Sequence, residues 1–182
     1  MATQGAQIVI RPRESDVVVK TVGLISDTHI PVRARRIPHG VFKAFEEVDF
    51  IVHAGDFVEM AVIDELEQLA PVLAVYGNMD GPKIRSRLPK QDSANILDRR
   101  IGVMHNPGAL FGRKKMLKIA EVNDFNVLVY GHTHSPSIRW ERDILFINPG
   151  SPTNPLPPFI TKPSVALLKI TADGVMPKII QI

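Results

Sequence analysis

The chain is punctuated by short apolar runs, each closed by a glycine or a polar residue. Residues 17–25 (VVVKTVGLI), 50–54 (FIVHA), 72–76 (VLAVY) and 126–130 (NVLVY) are four such runs, and their β-branched, apolar content predicts buried strands. Between them apolar residues return at helical spacing: Val41, Phe42, Phe45 and Val48; Val62, Ile63, Leu66, Leu69 and Ala70; then Met116, Leu117, Ile119 and Ala120. Charged residues occupy the opposite face of each pattern. Strand and helix alternation predicts βαβ units and a mostly parallel sheet in the first half. The second half changes period. Residues 93–105 and 137–147, and 164–170 with 175–181, read as three hairpins turning at 98–100, 142–143 and 171–174. Antiparallel hairpins added to a parallel set predict two sheets packed together with helices outside.

No period of 20 to 50 residues repeats, so solenoids are set aside, and 182 residues suit one domain spanning 1–182. Residues 1–20 form an N-terminal extension, for which an edge strand at 8–10 and disorder are the two alternatives. The proline-rich stretch 152–163 is a stiff connection, because the remaining C-terminal segment is too short to fold alone. With no cysteine in the chain, disulfides and thiolate-held zinc are excluded. Any metal must be held by oxygen or imidazole. No run approaches the roughly 18 apolar residues of a membrane span, so no membrane partner is expected and the default compartment is the cytoplasm. A net charge of +3 is too small to argue for nucleic acid by itself.

The residues just past each strand carry the chemistry. The first run ends in Asp27-Thr28-His29, the second in Gly55-Asp56, the third in Gly77-Asn78-Met79-Asp80, the 101–104 strand in His105, and the fourth in Gly131-His132-Thr133-His134. Strand C-terminal ends are where open α/β sheets place their binding crevice. The i, i+2 pairs Asp27/His29 and His132/His134 share a face if the backbone stays extended. Three oxygen donors, Asp27, Asp56 and Asn78, and four imidazoles, His29, His105, His132 and His134, are too many for one tetrahedral zinc. They suit two divalent ions roughly 3.5–4 Å apart that share a carboxylate and a hydroxide, a layout used for phosphoester hydrolysis. The mixed nitrogen and oxygen set favours manganese, iron, zinc or nickel over magnesium or calcium; manganese is the first expectation, although ligand type does not select among the four. Each fragment alone is commoner as a turn or cap; their joint placement at strand ends reverses the odds.

In this order, Asp-x-His, Gly-Asp, Gly-Asn, His and Gly-His-x-His, the sequence resembles the calcineurin-like metallophosphoesterase superfamily, and within it the small single-domain phosphodiesterases. The similarity runs from about Val22 to Ile182 and includes Asn148-Pro149-Gly150-Ser151. It implies a four-layer α/β/β/α sandwich, two mixed sheets packed face to face with helices outside, and a dinuclear phosphodiesterase whose nucleophile is a metal-bridging hydroxide. Carried over by position, Asp27, His29, Asp56 and His134 would hold the first metal. Asp56 would bridge, Asn78, His105 and His132 would complete the second, and Asn78 would also contact the substrate phosphate. Met79 stands where many members have histidine, so the leaving-group acid has no assigned residue; Asp80 is a candidate. The family's Gly-His-Gly around the fifth ligand reads His105-Asn106-Pro107-Gly108 here.

Two other functions fit parts of the pattern. The stretches SDTHIP and INPGS also resemble the retromer subunit of this fold, a protein-interaction scaffold that has lost several metal histidines, whereas all seven positions are filled here. A nuclease would use the basic clusters as a phosphate track, although one Trp and two Tyr offer few stacking platforms. Among the remaining residues His53 reads as packed behind the site and His39 as surface. Arg33, Arg35 and Arg36 read as a solvated turn, the clusters at 83–90 and 113–118 as a solvated coat on a loop and a helix, and Asn148 to Ser151 as packing beneath the histidine pair.

Overall fold

The computed structural model describes residues 18–108, 112–153 and 162–182. The edge strand considered at 8–10 and most of the 152–163 connection lie outside these residues. Among the described residues ten strands and four helices run in the order β1 (Lys20–Ile25), α1 (His39–Ala44), β2 (Phe50–His53), α2 (Ala61–Leu66), β3 (Val72–Ala74), α3 (Pro82–Arg85), β4 (Gln91–Ile96), β5 (Arg99–Met104), α4 (Arg113–Val122), β6 (Val127–Val129), β7 (Ser137–Glu141), β8 (Ile144–Asn148), β9 (Ser164–Thr171) and β10 (Gly174–Gln181).

Two five-stranded sheets result, ordered β10-β9-β1-β2-β3 and β4-β5-β6-β8-β7. Both are mixed. In the first, β1, β2 and β3 are parallel while the β9–β10 hairpin runs antiparallel against β1. In the second, β5, β6 and β8 are parallel, and β4 and β7 close the edges as antiparallel strands. The three expected hairpins are present, β4–β5, β7–β8 and β9–β10.

Side-chain alternation explains the layering. Val22 and Leu24 of β1 join Val52, Ile101, Val103, Val127, Val129, Leu145 and Ile147 in a core between the sheets. On the outer face of the first sheet, Ile25 and Ile51 pack with Val41 and Phe45, and with Val62, Ile63 and Leu66 of α2. On the outer face of the second, Leu128 and Phe146 pack with Met116, Leu117 and Ala120 of α4. The order of layers is therefore helix, sheet, sheet, helix, the sandwich the resemblance implied. Two glycines make the close packing possible. A Cβ on Gly23 would stand 2.9 Å from the Phe45 ring, and one on Gly102 would stand 2.2 Å from the Phe125 ring, so each sheet admits an aromatic ring where a strand lacks a side chain.

The helices differ from expectation. The apolar patterns at 41–48 and 62–70 give only six helical residues each, and both continue as turns. Burial against the sheet needs the periodic residues, and a turn presents them as well as a helix does. The short α3 escaped the periodicity reading because four residues hold too few apolar positions to show a period. Its signal was Gly81-Pro82, a proline at the first helical position.

Candidate metal centre

All five polar strand ends project from the same edge of the sandwich. The segments after β1 and β2 stay paired beyond the strands, with the Asp27 N–H donating to the Gly55 carbonyl and the His29 N–H to the Asp56 carbonyl, both at 3.0 Å. Those after β5 and β6 meet where the Gly131 N–H donates to the His105 carbonyl at 3.0 Å. The two sheets are joined across the site by Asp27, whose carboxylate accepts the His132 N–H.

Convergence is achieved differently from the extended-strand reading. Asp27 (φ 54°), His29 (φ 45°), His132 (φ 71°) and His134 (φ 55°) are left-handed, as is Asp56 (φ 59°). The turned backbone instead brings His29 Nε2 to 3.9 Å from Asp27 Oδ1. Non-glycine residues in this region each cost about 1 kcal/mol or more, and such strain gathers at functional sites.

Two groups of donors result. Asp27, His29 and His134 have ligand atoms mutually within 4.8 Å, and so do Asp27, Asp56 and His105. Within them His134 Nε2 lies 3.3 Å from Asp27 Oδ1, and His29 Nε2 lies 3.2 Å from His134 Nε2. The Asp56 Oδ2 atom sits between the groups, 3.2 Å from His105 Nε2 and 3.9 Å from His29 Nε2. Asn78 Oδ1 adds to the second group, 3.0 Å from His105 Nε2 and 2.9 Å from His132 Nδ1. All seven residues anticipated from the sequence thus meet in one place. Asn78 is exposed and His132 half-buried, at the mouth, while the other five are buried.

The donor chemistry fits divalent cations. Asp27 and Asp56 are 0% and 2% exposed, and among the described residues no lysine or arginine pairs with either, although buried carboxylates need positive charge. The His105 Nδ1–H donates to the Ala54 carbonyl at 2.8 Å, which leaves Nε2 as the atom facing Asp56, an orientation typical of histidines that bind metal. Burial works against a charged His105 ring, but the hydrogen bond to Asp56 and the charges of Asp27 and Asp56 outweigh it and raise its pKa. For His29 burial prevails over those carboxylates, and for His132 burial and the neighbouring His105 act together, so both are held below the ordinary histidine range. Burial opposes ionisation of Asp56; hydrogen bonds from His105 and the Met79 N–H win, keeping it below the usual carboxylate range.

Glycine is required where loops touch. A Cβ on Gly77 would fall 2.1 Å from Asp56 Oδ1, and one on Gly131 would fall 2.7 Å from Asp27 Oδ2. Behind the ligands, Asn148 to Ser151 bind the loops to one another. The Asn148 amide donates to the Gly131 carbonyl at 3.0 Å and to Thr133 Oγ1 at 2.9 Å, the Ser26 hydroxyl to the Gly150 carbonyl at 2.8 Å, and the Ser151 hydroxyl to the Asp27 carbonyl at 2.7 Å. His53 is fully buried behind the site between Thr28 Oγ1 and the Gly55 N–H, and burial pushes its pKa down to about 3. His39, at the start of α1, is exposed.

Asp80 requires a correction. Considered as a leaving-group acid, it is buried, and its carboxylate accepts four backbone N–H groups: Asp56 at 2.9 Å and Gly77 at 2.7 Å on one oxygen, Phe57 at 3.0 Å and Val58 at 2.7 Å on the other. With both oxygens engaged by backbone donors, neither is free to reach a leaving group. Instead it ties the Asp56 loop to the Asn78 loop. Arg85 supports the same loop, donating to the carbonyls of Asp80 at 2.7 Å and Asn78 at 2.8 Å. Neither role was visible in the sequence, because both depend on backbone groups that every residue carries.

A profile of the calcineurin-like phosphoesterase superfamily domain matches residues 21–173. A probable metallophosphoesterase of Methanothermobacter thermautotrophicus is 41% identical over 161 residues, 88% of this chain and 91% of that protein. A phosphodiesterase of Methanocaldococcus jannaschii is 35% identical over 137 residues, 71% of this chain and 82% of that one. Among solved structures, vacuolar protein sorting 29 of Cryptosporidium parvum superposes with a TM-score of 0.75 at 19% identity, over 90% of this chain and 98% of that one; at that identity it shows the shared fold.

Proposed function

This chain belongs to the calcineurin-like phosphoesterase superfamily, and from that premise we propose that it is a phosphodiesterase using two divalent ions, manganese foremost, held within one domain spanning 1–182 in a cytoplasmic protein. Asp27, His29, His134 and Asp56 would hold one ion, and Asp56, Asn78, His105 and His132 the other. The observation that carries this reading is the pair of buried donor groups bordered by Asp56, a carboxylate within 3.9 Å of a histidine from each. Divalent ions held there would supply the Lewis acidity that activates water and withdraws charge from the phosphoryl oxygens.

The chain's own residues orient and shield this centre. Ala54 fixes the His105 ring, the Met79 N–H fixes Asp56 at 2.7 Å, and exposed Asn78 would donate its amide N–H to a substrate oxygen. Asp80 is occupied as an acceptor and Met79 is 53% exposed without a proton to give, so the favoured substrates are diesters whose leaving group departs without a proton. The expected result is hydrolysis of bis(p-nitrophenyl) phosphate that rises with added manganese and stops with chelator. Asp56→Asn should lower it about a hundredfold or more, given the several kcal/mol such ions contribute. Absence of hydrolysis by the folded, manganese-loaded protein, with Asp56→Asn behaving identically, would overturn the proposal and favour the interaction scaffold.

A further inference from the structure

A cleft of about 340 Å³ opens off the Asn78 and His105 side of the site. Those two residues form one wall, so a phosphodiester bound at the centre has room for one ester arm there. The remaining walls carry Arg85 and Lys90 together with Tyr76 and Met104, and no lining residue is acidic. The Arg85 guanidinium is anchored by the carbonyls of Gly77, Asn78 and Asp80 and lies 5.5 Å from the centre of the Tyr76 ring. Neutral partners leave its charge uncancelled, and anchoring removes most of the entropy cost of using it. Lys90 makes no ion pair among the described residues. Half-buried Tyr76 and Met104, 8% exposed, add an apolar surface to the cleft. The run KIRSRLPK, which reads in the sequence as a solvated coat, thus turns two of its charges toward the site.

Resting on the phosphodiesterase reading, we propose that this cleft binds a substrate arm consisting of a planar group and a second negative charge, the charge being recognised by Lys90 and Arg85. The scissile phosphate is taken by the metal centre, so these cations are available to the next anionic group along the substrate. A nucleotide unit has that chemistry.

The experiment compares two chromogenic diesters with the same leaving group: the p-nitrophenyl ester of thymidine 5′-phosphate, and the same compound carrying a 3′-phosphate. For the manganese-loaded protein the 3′-phosphorylated substrate should have the higher kcat/KM, and Lys90→Gln should reduce that preference about fivefold, the upper range for one exposed charge pair. Calorimetric binding of thymidine 3′,5′-bisphosphate to the manganese-loaded protein should weaken by a similar factor in Lys90→Gln. Equal preference in the two proteins, equal affinity, or no binding by the wild type overturns the subsite. Binding that depends on Lys90 without hydrolysis of either ester overturns the phosphodiesterase reading and leaves the subsite standing.

Discussion

At the scale of single residues the centre depends on groups whose roles are electrostatic and whose positions are fixed by the backbone. Asp80 is the sharpest case, because four N–H donors aim at one carboxylate. Asp80→Asn replaces an acceptor oxygen by an amide that can only oppose two of those donors, so a loss of about 3 kcal/mol is expected in urea unfolding. Manganese affinity should fall roughly 10- to 100-fold in titration, as for other groups that orient ligands. His53 gives a pH-dependent prediction. Its folded-state pKa of about 3 lies below the unfolded value near 6.5, so the unfolded chain binds the proton first and stability is lost as pH falls below about 6.5. Between pH 7 and pH 5 that loss is about 2 kcal/mol in chelator-treated protein. His53→Gln should flatten the pH dependence by that amount, and an unchanged slope would refute the assignment.

Elements position these residues through packing. Gly23 and Gly102 let an aromatic ring lie directly on each sheet, and the Phe45 ring admitted by Gly23 is fully buried. Gly102→Ala should cost more than Gly23→Ala, with both in the range of about 1–3 kcal/mol typical of overpacking, read as shifts of the denaturation midpoint. Gly81→Ala is the control: its φ is −75° and a Cβ there meets nothing within 4 Å. It should be neutral or stabilise by up to about 1 kcal/mol. The strands were legible because burial on both faces selects continuous β-branched runs, and the hairpins because their turns interrupt such runs. The lengths of α1 and α2 were not, since apolar periodicity records which side chains face the sheet and not where helical hydrogen bonds end.

For the whole molecule, the site is a joint between two sheets. Asp27 comes from the first and His132 and His134 from the second, so ligand binding couples to folding of both. Manganese at a hundred times its dissociation constant should stabilise the protein by about 2.7 kcal/mol against thermal unfolding. Asp27→Asn should abolish most of that gain while the metal-free protein remains folded. Residue identities alone set the chemical inventory: the alternation of strands and helices, a centre without thiolates, and seven imidazole, carboxylate and amide donors at strand ends. Those facts reflect local pattern, which burial and side-chain chemistry impress directly on the chain. Folding in three dimensions settled how the donors meet, through left-handed turns instead of extended pairs, and that Asp80 is a tie and not an acid. It also placed Arg85 and Lys90 at a cleft. Each of these depends on backbone groups and long-range contacts between loops, and a backbone N–H aimed at a carboxylate leaves no mark in residue identity.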